Sequence, residues 1–228
     1  LLLGELAAAI FPSGVFQTLA DTNDLGPLLT SHEDIAHVSF TGSTPTGKKV
    51  LESTVSTLKR FTLELGGNDA AIVLDDVDID KVAPAIFRAA TLNAGQICYA
   101  TKRVYAPRKL IEPLTEALVA LAKDAKVGDG LEQGTTIGPI QNKMQYDKLQ
   151  GFIEDSRRNG RIVVGGEQID GDGYFIRPTI VRDLANDARL VKEEQFGPVL
   201  PIQAYDDLVG AIAEANSASE KNSNNWVQ

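Results

Sequence analysis

Cysteine is almost missing from this sequence. Cys98 is the only one in 228 residues, so no disulfide can close within the chain and nothing in it points to an oxidising compartment. Histidine is nearly as scarce. His32 and His37 lie far upstream of Cys98 and share no pattern with it, which disfavours a cysteine–histidine hydrolase. No basic run is longer than a pair, as at Lys48-Lys49 and Arg157-Arg158. With 22 basic against 31 acidic residues the formal charge is −9, the wrong sign for gripping a phosphate backbone, so no nucleic-acid partner is expected. Long apolar runs are lacking too. Residues 1–11 form the longest, broken by Gly4 and Glu5, too short for a bilayer and without the basic start of a signal peptide. A cytoplasmic protein with no membrane partner is the expectation.

What the chain does contain is ordinary globular material, 43% hydrophobic and 23% charged, enough for one large domain or parts of two. Strand-like runs alternate with stretches of helical period, predicting α/β layers with parallel pairing. Strands are expected at 37–40, 61–65, 70–74, 161–164 and 200–205. Helices are expected at 44–57, at 78–93 behind an Asp78 or Asp80 cap, along the Leu110, Leu114, Leu118, Leu121 stripe, around Leu149–Ile153, and after an Asp206 cap. No repeat or low-complexity tract interrupts them. The chain opens without Met on Leu1-Leu2-Leu3, and its residues 220–228 continue no earlier pattern. Both ends read as those of a piece of a longer protein.

Four short stretches hold chemistry. In Gly42-Ser43-Thr44-Pro45-Thr46-Gly47-Lys48-Lys49, a strand, a glycine turn and a helix start offer backbone N–H groups at the positive end of a helix dipole, an anion site. Gly42 permits the tight turn and Gly47 lets another backbone approach. The stretch also nearly fits a P-loop, with 71–76 as an apolar strand ending in Asp75-Asp76. Its fault is Lys49, an ammonium where a hydroxyl should meet Mg²⁺. Glu64 sits on an apolar strand before Gly66-Gly67. If enclosed there it would have a raised pKa suited to a general base; the plain alternative is a solvent-facing edge residue. Cys98 follows a helix and a glycine turn, so it belongs to a loop, although lone cysteines are usually inert and a thiol near pKa ~8.5 needs help to ionise. Glu193-Glu194-Gln195-Phe196-Gly197-Pro198 pairs acids with an aromatic beside a turn: a solvated strand entry, or a carboxylate for sugar hydroxyls with a ring to pack on.

In order and spacing, Phe40 to Thr44, Leu63-Glu64-Leu65-Gly66-Gly67, Gly95-Gln96-Ile97-Cys98 and Glu193 to Pro198 resemble the aldehyde dehydrogenase superfamily, and so do 137–140 and 173–179. The resemblance covers roughly residues 1–219, and the 34-residue step from Glu64 to Cys98 is part of it. It implies a three-layer α/β fold: residues 1–66 as the C-terminal part of a Rossmann-like cofactor domain, 67–228 as most of a catalytic domain. It implies oxidation of a small-molecule aldehyde to a carboxylic acid with NAD or NADP. Cys98 would be the nucleophile, passing through a thiohemiacetal and a thioester, and Glu64 the base that activates the deacylating water. Gly42, Ser43, Thr44, Gly47 and Leu65 would be cofactor contacts, Glu194 the carboxylate on the nicotinamide ribose and Phe196 the aromatic beside the nicotinamide. No metal ligand is implied, and the parent would be a homo-oligomer. The family's upstream oxyanion Asn and ribose-gripping Lys match no residue here, so the 228 residues alone are expected to be inactive. A coenzyme A-acylating relative would use Cys98 but leave Glu64 without work. A P-loop nucleotide-binding protein and a non-enzymatic fragment remain as alternatives.

Overall fold

The computed structural model describes residues 1–22, 24–169, 171 and 173–219; the reading of 220–228 falls outside them. The chain divides into two compact units, Leu1–Leu65 and Gly66–Gln228.

The first unit is built around a βαβ element. Strand β1 (His37–Gly42) and strand β2 (Arg60–Leu65) pair in parallel, with Val38 opposite Phe61 and Gly42 opposite Leu65. Two short helices precede them, α1 (Leu2–Ala8) and α2 (Leu25–Ser31). The crossover helix α3 (Thr44–Thr54) is shorter than the expected 44–57, because its last residues tighten into a 3₁₀ turn at Val55–Thr57 that Leu58 closes with φ of 50°. Ser43 caps it, accepting a hydrogen bond from the Thr46 N–H at 3.4 Å, and Pro45 occupies the first turn, where a missing N–H costs nothing.

The second unit is a three-layer α/β structure. Its sheet holds five strands in the order β3-β4-β7-β6-β5, all parallel except the β5–β6 pair. These are β3 (Ala70–Ile72), β4 (Arg103–Pro107), β5 (Arg161–Val164), β6 (Thr179–Arg182) and β7 (Val199–Tyr205). The helices are α4 (Ile79–Thr91), α5 (Ile111–Asp124), α6 (Lys143–Asn159), α7 (Arg189–Lys192) and α8 (Leu208–Ser219). Alternation along a strand sends neighbours to opposite faces. Ile180, Leu200 and Ile202 join Ile86, Leu114 and Leu118 of α4 and α5, while Val181 and Val199 join Leu149, Phe152 and Ile153 of α6. Both faces of the sheet are therefore covered, each buried Leu or Ile stabilising by about 1.5–3 kcal/mol.

Several local expectations are corrected. Strand β3 ends at Ile72, short of the expected 74. Helix α4 ends at Thr91, where Leu92 turns extended and Asn93, Ala94 and Gly95 all turn left-handed, with φ of 52°, 55° and 71°. Asp78 is the α4 cap, accepting from the Asp80 N–H at 3.1 Å. For α8 the capping carboxylate belongs to Asp207, which accepts from Gly210 N–H at 2.8 Å; Asp206 is engaged by the Arg108 guanidinium through two bonds of 2.7 and 2.8 Å. Strands β4 and β6 were not expected at all.

Candidate active site

Three chain segments converge at the amino ends of three adjacent strands of the second unit. The Gly66-Gly67 turn leads into β3, the Cys98 loop into β4, and the Glu194–Phe196 loop into β7, and β4 lies between the other two. Ligands of open parallel sheets usually lie beyond the carboxyl ends; here the residues with chemistry gather at the opposite edge.

Cys98 is exposed, on a turn in which Ala100 N–H donates to Ile97 O at 3.2 Å. The turn is held from two sides. On one, the Gln96 amide donates to the carbonyls of Asn93 and Pro139, both at 3.2 Å, and its oxygen accepts from Gln141 N–H at 2.8 Å. This explains why the 137–140 segment accompanies the cysteine motif. On the other, the fully buried Lys102 lies beneath the turn. Its Nζ donates to the carbonyls of Ile97 at 2.7 Å and of Cys98 and Ala100 at 3.2 Å each. Gly95 is required by close approach: a Cβ there would lie 2.6 Å from the backbone carbonyl of Gly197.

Glu194 is partly enclosed, its side chain 24% exposed. The carboxylate accepts from Gly67 N–H at 3.3 Å and lies 3.6 Å from Lys102 Nζ. A Cβ on Gly66 would collide with the same carboxylate, so the double glycine clears room for Glu194. Burial pushes the Glu194 carboxyl up, against the opposing pull of Lys102, the Gly67 N–H and Lys148. Burial likewise pushes the Lys102 ammonium down, against Glu194 and Asp69. Each partner favours the other's charge, yet loss of water wins on both. Phe196 takes a left-handed φ of 52°, and Lys102 Nζ lies 5.8 Å from its ring centroid. Its loop is tied down by Gln145, whose amide donates to Gln195 O at 2.7 Å and Phe196 O at 2.9 Å. Lys148 Nζ adds a 3.0 Å bond to Glu194 O.

A family model described as the aldehyde dehydrogenase family matches residues 1–223, both units included. The chain belongs to the aldehyde dehydrogenase family. It is 45% identical over 217 residues to a probable aldehyde dehydrogenase of a Pseudomonas species, covering 95% of this chain and 44% of that protein. The structure of an E. coli NADP-dependent enzyme matches it with a TM-score of 0.88 at 36% identity, over 94% of this chain and 45% of that one. The NAD+ complex of an aldehyde dehydrogenase from Bacillus cereus matches with a TM-score of 0.81 at 38% identity, over 84% and 39%. The chain spans about half the length of the curated relatives it matches. Its fold is that of these aldehyde dehydrogenases, and the P-loop alternative falls. Strand β3, expected to carry the metal-binding Asp beside the glycine loop, pairs with β4 in a different sheet from β1.

In this aldehyde dehydrogenase chain the structure brings Cys98, Glu194 and Phe196 to one edge of the second unit. Gly42, Ser43, Thr44, Gly47, Glu64 and Leu65 belong to the first. There Gly42 ends β1 and Thr44 opens α3. Gly47 is buried, and a Cβ there would lie 2.6 Å from Leu65 Cδ2, so it admits a side chain rather than the backbone expected. Pro45 has no N–H, the Thr46 N–H bonds to Ser43 Oγ and Gly47 N–H bonds to Ser43 O, leaving fewer free donors than the loop pattern suggests. Glu64 stands opposite Thr41 and is exposed, so it is the edge residue of the two readings and not an enclosed carboxylate. Gln96, Lys102 and Gln145 were missed. A lone Lys or Gln in a sequence reads as solvated surface, and with β4 unexpected no strand lay beside Lys102 to suggest otherwise.

Proposed function

We propose that the protein carrying this chain oxidises an aldehyde to a carboxylic acid with NAD or NADP, through a covalent intermediate on Cys98. The observation that carries the reading is an exposed cysteine on a turn fixed from both sides, on the same sheet edge as a half-enclosed carboxylate and an aromatic ring. The Glu194 carboxylate, lined by the side-chain-free Gly66-Gly67 turn, suits sugar hydroxyls, and Phe196 suits a flat ring. Gly42, Ser43, Thr44, Gly47 and Leu65 are assigned the phosphate side of the same cofactor, residues 1–66 being part of its domain and 67–228 most of the catalytic one. When bound, the nicotinamide supplies the hydride acceptor.

The chain's own residues do the rest. The Cys98 thiolate attacks the carbonyl carbon, forming the C–S bond of a thiohemiacetal whose oxygen carries the negative charge. Once that carbon has lost its hydride, a thioester remains on Cys98. Glu64 takes a proton from water, the hydroxide adds to the thioester carbon, and the C–S bond breaks to release the acid and return the thiolate. Glu64 carries this role on the family resemblance of its motif, its side chain being exposed on β2. The parent protein is proposed to act as a homo-oligomer on small aldehydes; among the described residues no helix is long and apolar enough to cross a membrane.

One pre-steady-state experiment tests this. Cys98→Ala is expected to abolish formation of reduced cofactor while cofactor binding survives. Glu64→Gln is expected to retain a burst of reduced cofactor and lose most steady turnover, by about 10²–10⁴-fold. Turnover in the alanine variant, or a burst lost equally in both, would overturn the assignment.

A further inference from the structure

Among the described residues Lys102 is the one buried ammonium at this edge, and nothing in the proposed chemistry uses it. It is fully buried, whereas unpaired lysines are almost never enclosed, because an ammonium out of water costs several kcal/mol unless its three donors are met. Among the described residues, the hydrogen-bond and ion-pair partners of its Nζ all belong to the two loops of the site. Three are carbonyls of the turn that carries Cys98, one of them the carbonyl of Cys98 itself. The fourth is the carboxylate of Glu194, 3.6 Å away on the loop before β7. The Lys102 backbone belongs to the same system: its carbonyl accepts from the Gln195 amide at 2.9 Å and its N–H donates to Asp69 O at 2.9 Å.

We propose that Lys102 is a positioning residue, a buried cationic clasp that fixes the Cys98 turn and the Glu194 carboxylate to one another. The placement of the nucleophile and of the ribose-binding carboxylate is thereby coupled. This rests on the roles of Cys98 and Glu194 given above, but the coupling itself is a property of the fold. Its physical basis is geometric. A single charged group with donors on both loops makes their positions mutually dependent: removing one anchor leaves the ammonium short of a partner in a dry site and relaxes the other. Lys148 does not substitute, since it binds the backbone carbonyl of Glu194 from the α6 side and makes no bond to the cysteine turn among the described residues.

The coupling is tested from both ends. Lys102→Met keeps the length of the side chain and removes the charge; Glu194→Gln keeps Lys102 and removes its charged partner. Binding of NADH and NADPH is read by cofactor fluorescence, and amide exchange in residues 96–101 by mass spectrometry. Lys102→Met and Glu194→Gln are each expected to weaken cofactor binding by about tenfold, and the double variant by no more than the worse single one. Glu194→Gln, although it leaves the cysteine turn untouched, is expected to speed exchange of the Ala100 amide by about tenfold, with β7 and α5 unchanged. Multiplying effects in the double variant, or exchange that rises evenly through the second unit, would make Lys102 an ordinary structural residue. Should Lys102→Met fail to fold, the response of the turn to Glu194→Gln still decides. A wild-type protein that binds neither cofactor would overturn the functional reading, while the exchange measurement would continue to judge the clasp by itself.

Discussion

Glu194 shows how a single residue records the competition between hydration and pairing. Its carboxyl is pushed up by burial, although Lys102, the Gly67 N–H and Lys148 all favour the anion. A carboxyl raised in the folded state contributes stability that is fully present below its unfolded value of 4.5 and is lost as pH rises through the folded one. Glu194→Gln has no such titration. The melting temperature of the wild type relative to this variant is therefore expected to be highest near pH ~4 and to fall toward neutrality. Parallel melts across that range check it; a difference that stays flat or grows with pH would show that pairing, and not desolvation, governs the site. The motif was legible in the sequence but this balance was not, since it depends on Gly66 and Lys102, which lie 128 and 92 positions away.

At the scale of elements, the loop between α4 and β4 is the most constrained piece of the site. Asn93, Ala94 and Gly95 are successively left-handed, and only the last is glycine. Such a conformation costs a residue with a side chain about 1–3 kcal/mol, and Gly95 also faces the Gly197 carbonyl at a distance no Cβ tolerates. Gly95→Ala should therefore destabilise by about 3 kcal/mol, from backbone strain and overpacking together. That corresponds to a melting temperature lower by roughly 6–12 °C, while the neighbouring Gly138→Ala, with nothing close to its would-be Cβ, serves as the silent control. The sequence pattern carried α4, α5 and α6, whose apolar stripes pack on the sheet, those of α4 and α5 on one face and that of α6 on the other. It hid β4 and β6 for a physical reason. Strand β4 is buried along its whole length, so it shows no alternation. It begins with Arg103, an improbable core residue until its guanidinium is seen donating to the Asn68 and Ala215 carbonyls. Strand β6 is four residues with an Arg at its end, Arg182, buried and paired with Glu112 at 2.6 Å.

For the whole molecule, the two units differ sharply in how much core each commands. Among the described residues the first unit buries Ala7, Val38 and Val50 as its apolar core, and its sheet has two strands. Leu1, Leu2, Leu3, Leu6, Ile10 and Phe11 stay exposed. The second unit encloses a five-stranded sheet between two clusters that include Leu114, Leu118, Leu149 and Phe152 without measurable exposure. Apolar burial is the main term opposing chain entropy, and a lone two-stranded sheet is marginal in water. Local opening free energies should follow the same division. In this chain the amides of β1 and β2 are expected to exchange with solvent orders of magnitude faster than those of β4, β6 and β7, with α3 grouping with the first set. Hydrogen exchange at neutral pH and 25 °C, read by peptide, checks it. Equal protection in both sets would mean that the first unit draws on stabilisation its own buried residues do not account for. A split of the predicted kind would place Glu64, assigned the base, on the looser unit, and Cys98 with Glu194 on the tighter one. The nucleophile would then be held by a rigid framework while the proton acceptor rides on a more mobile one.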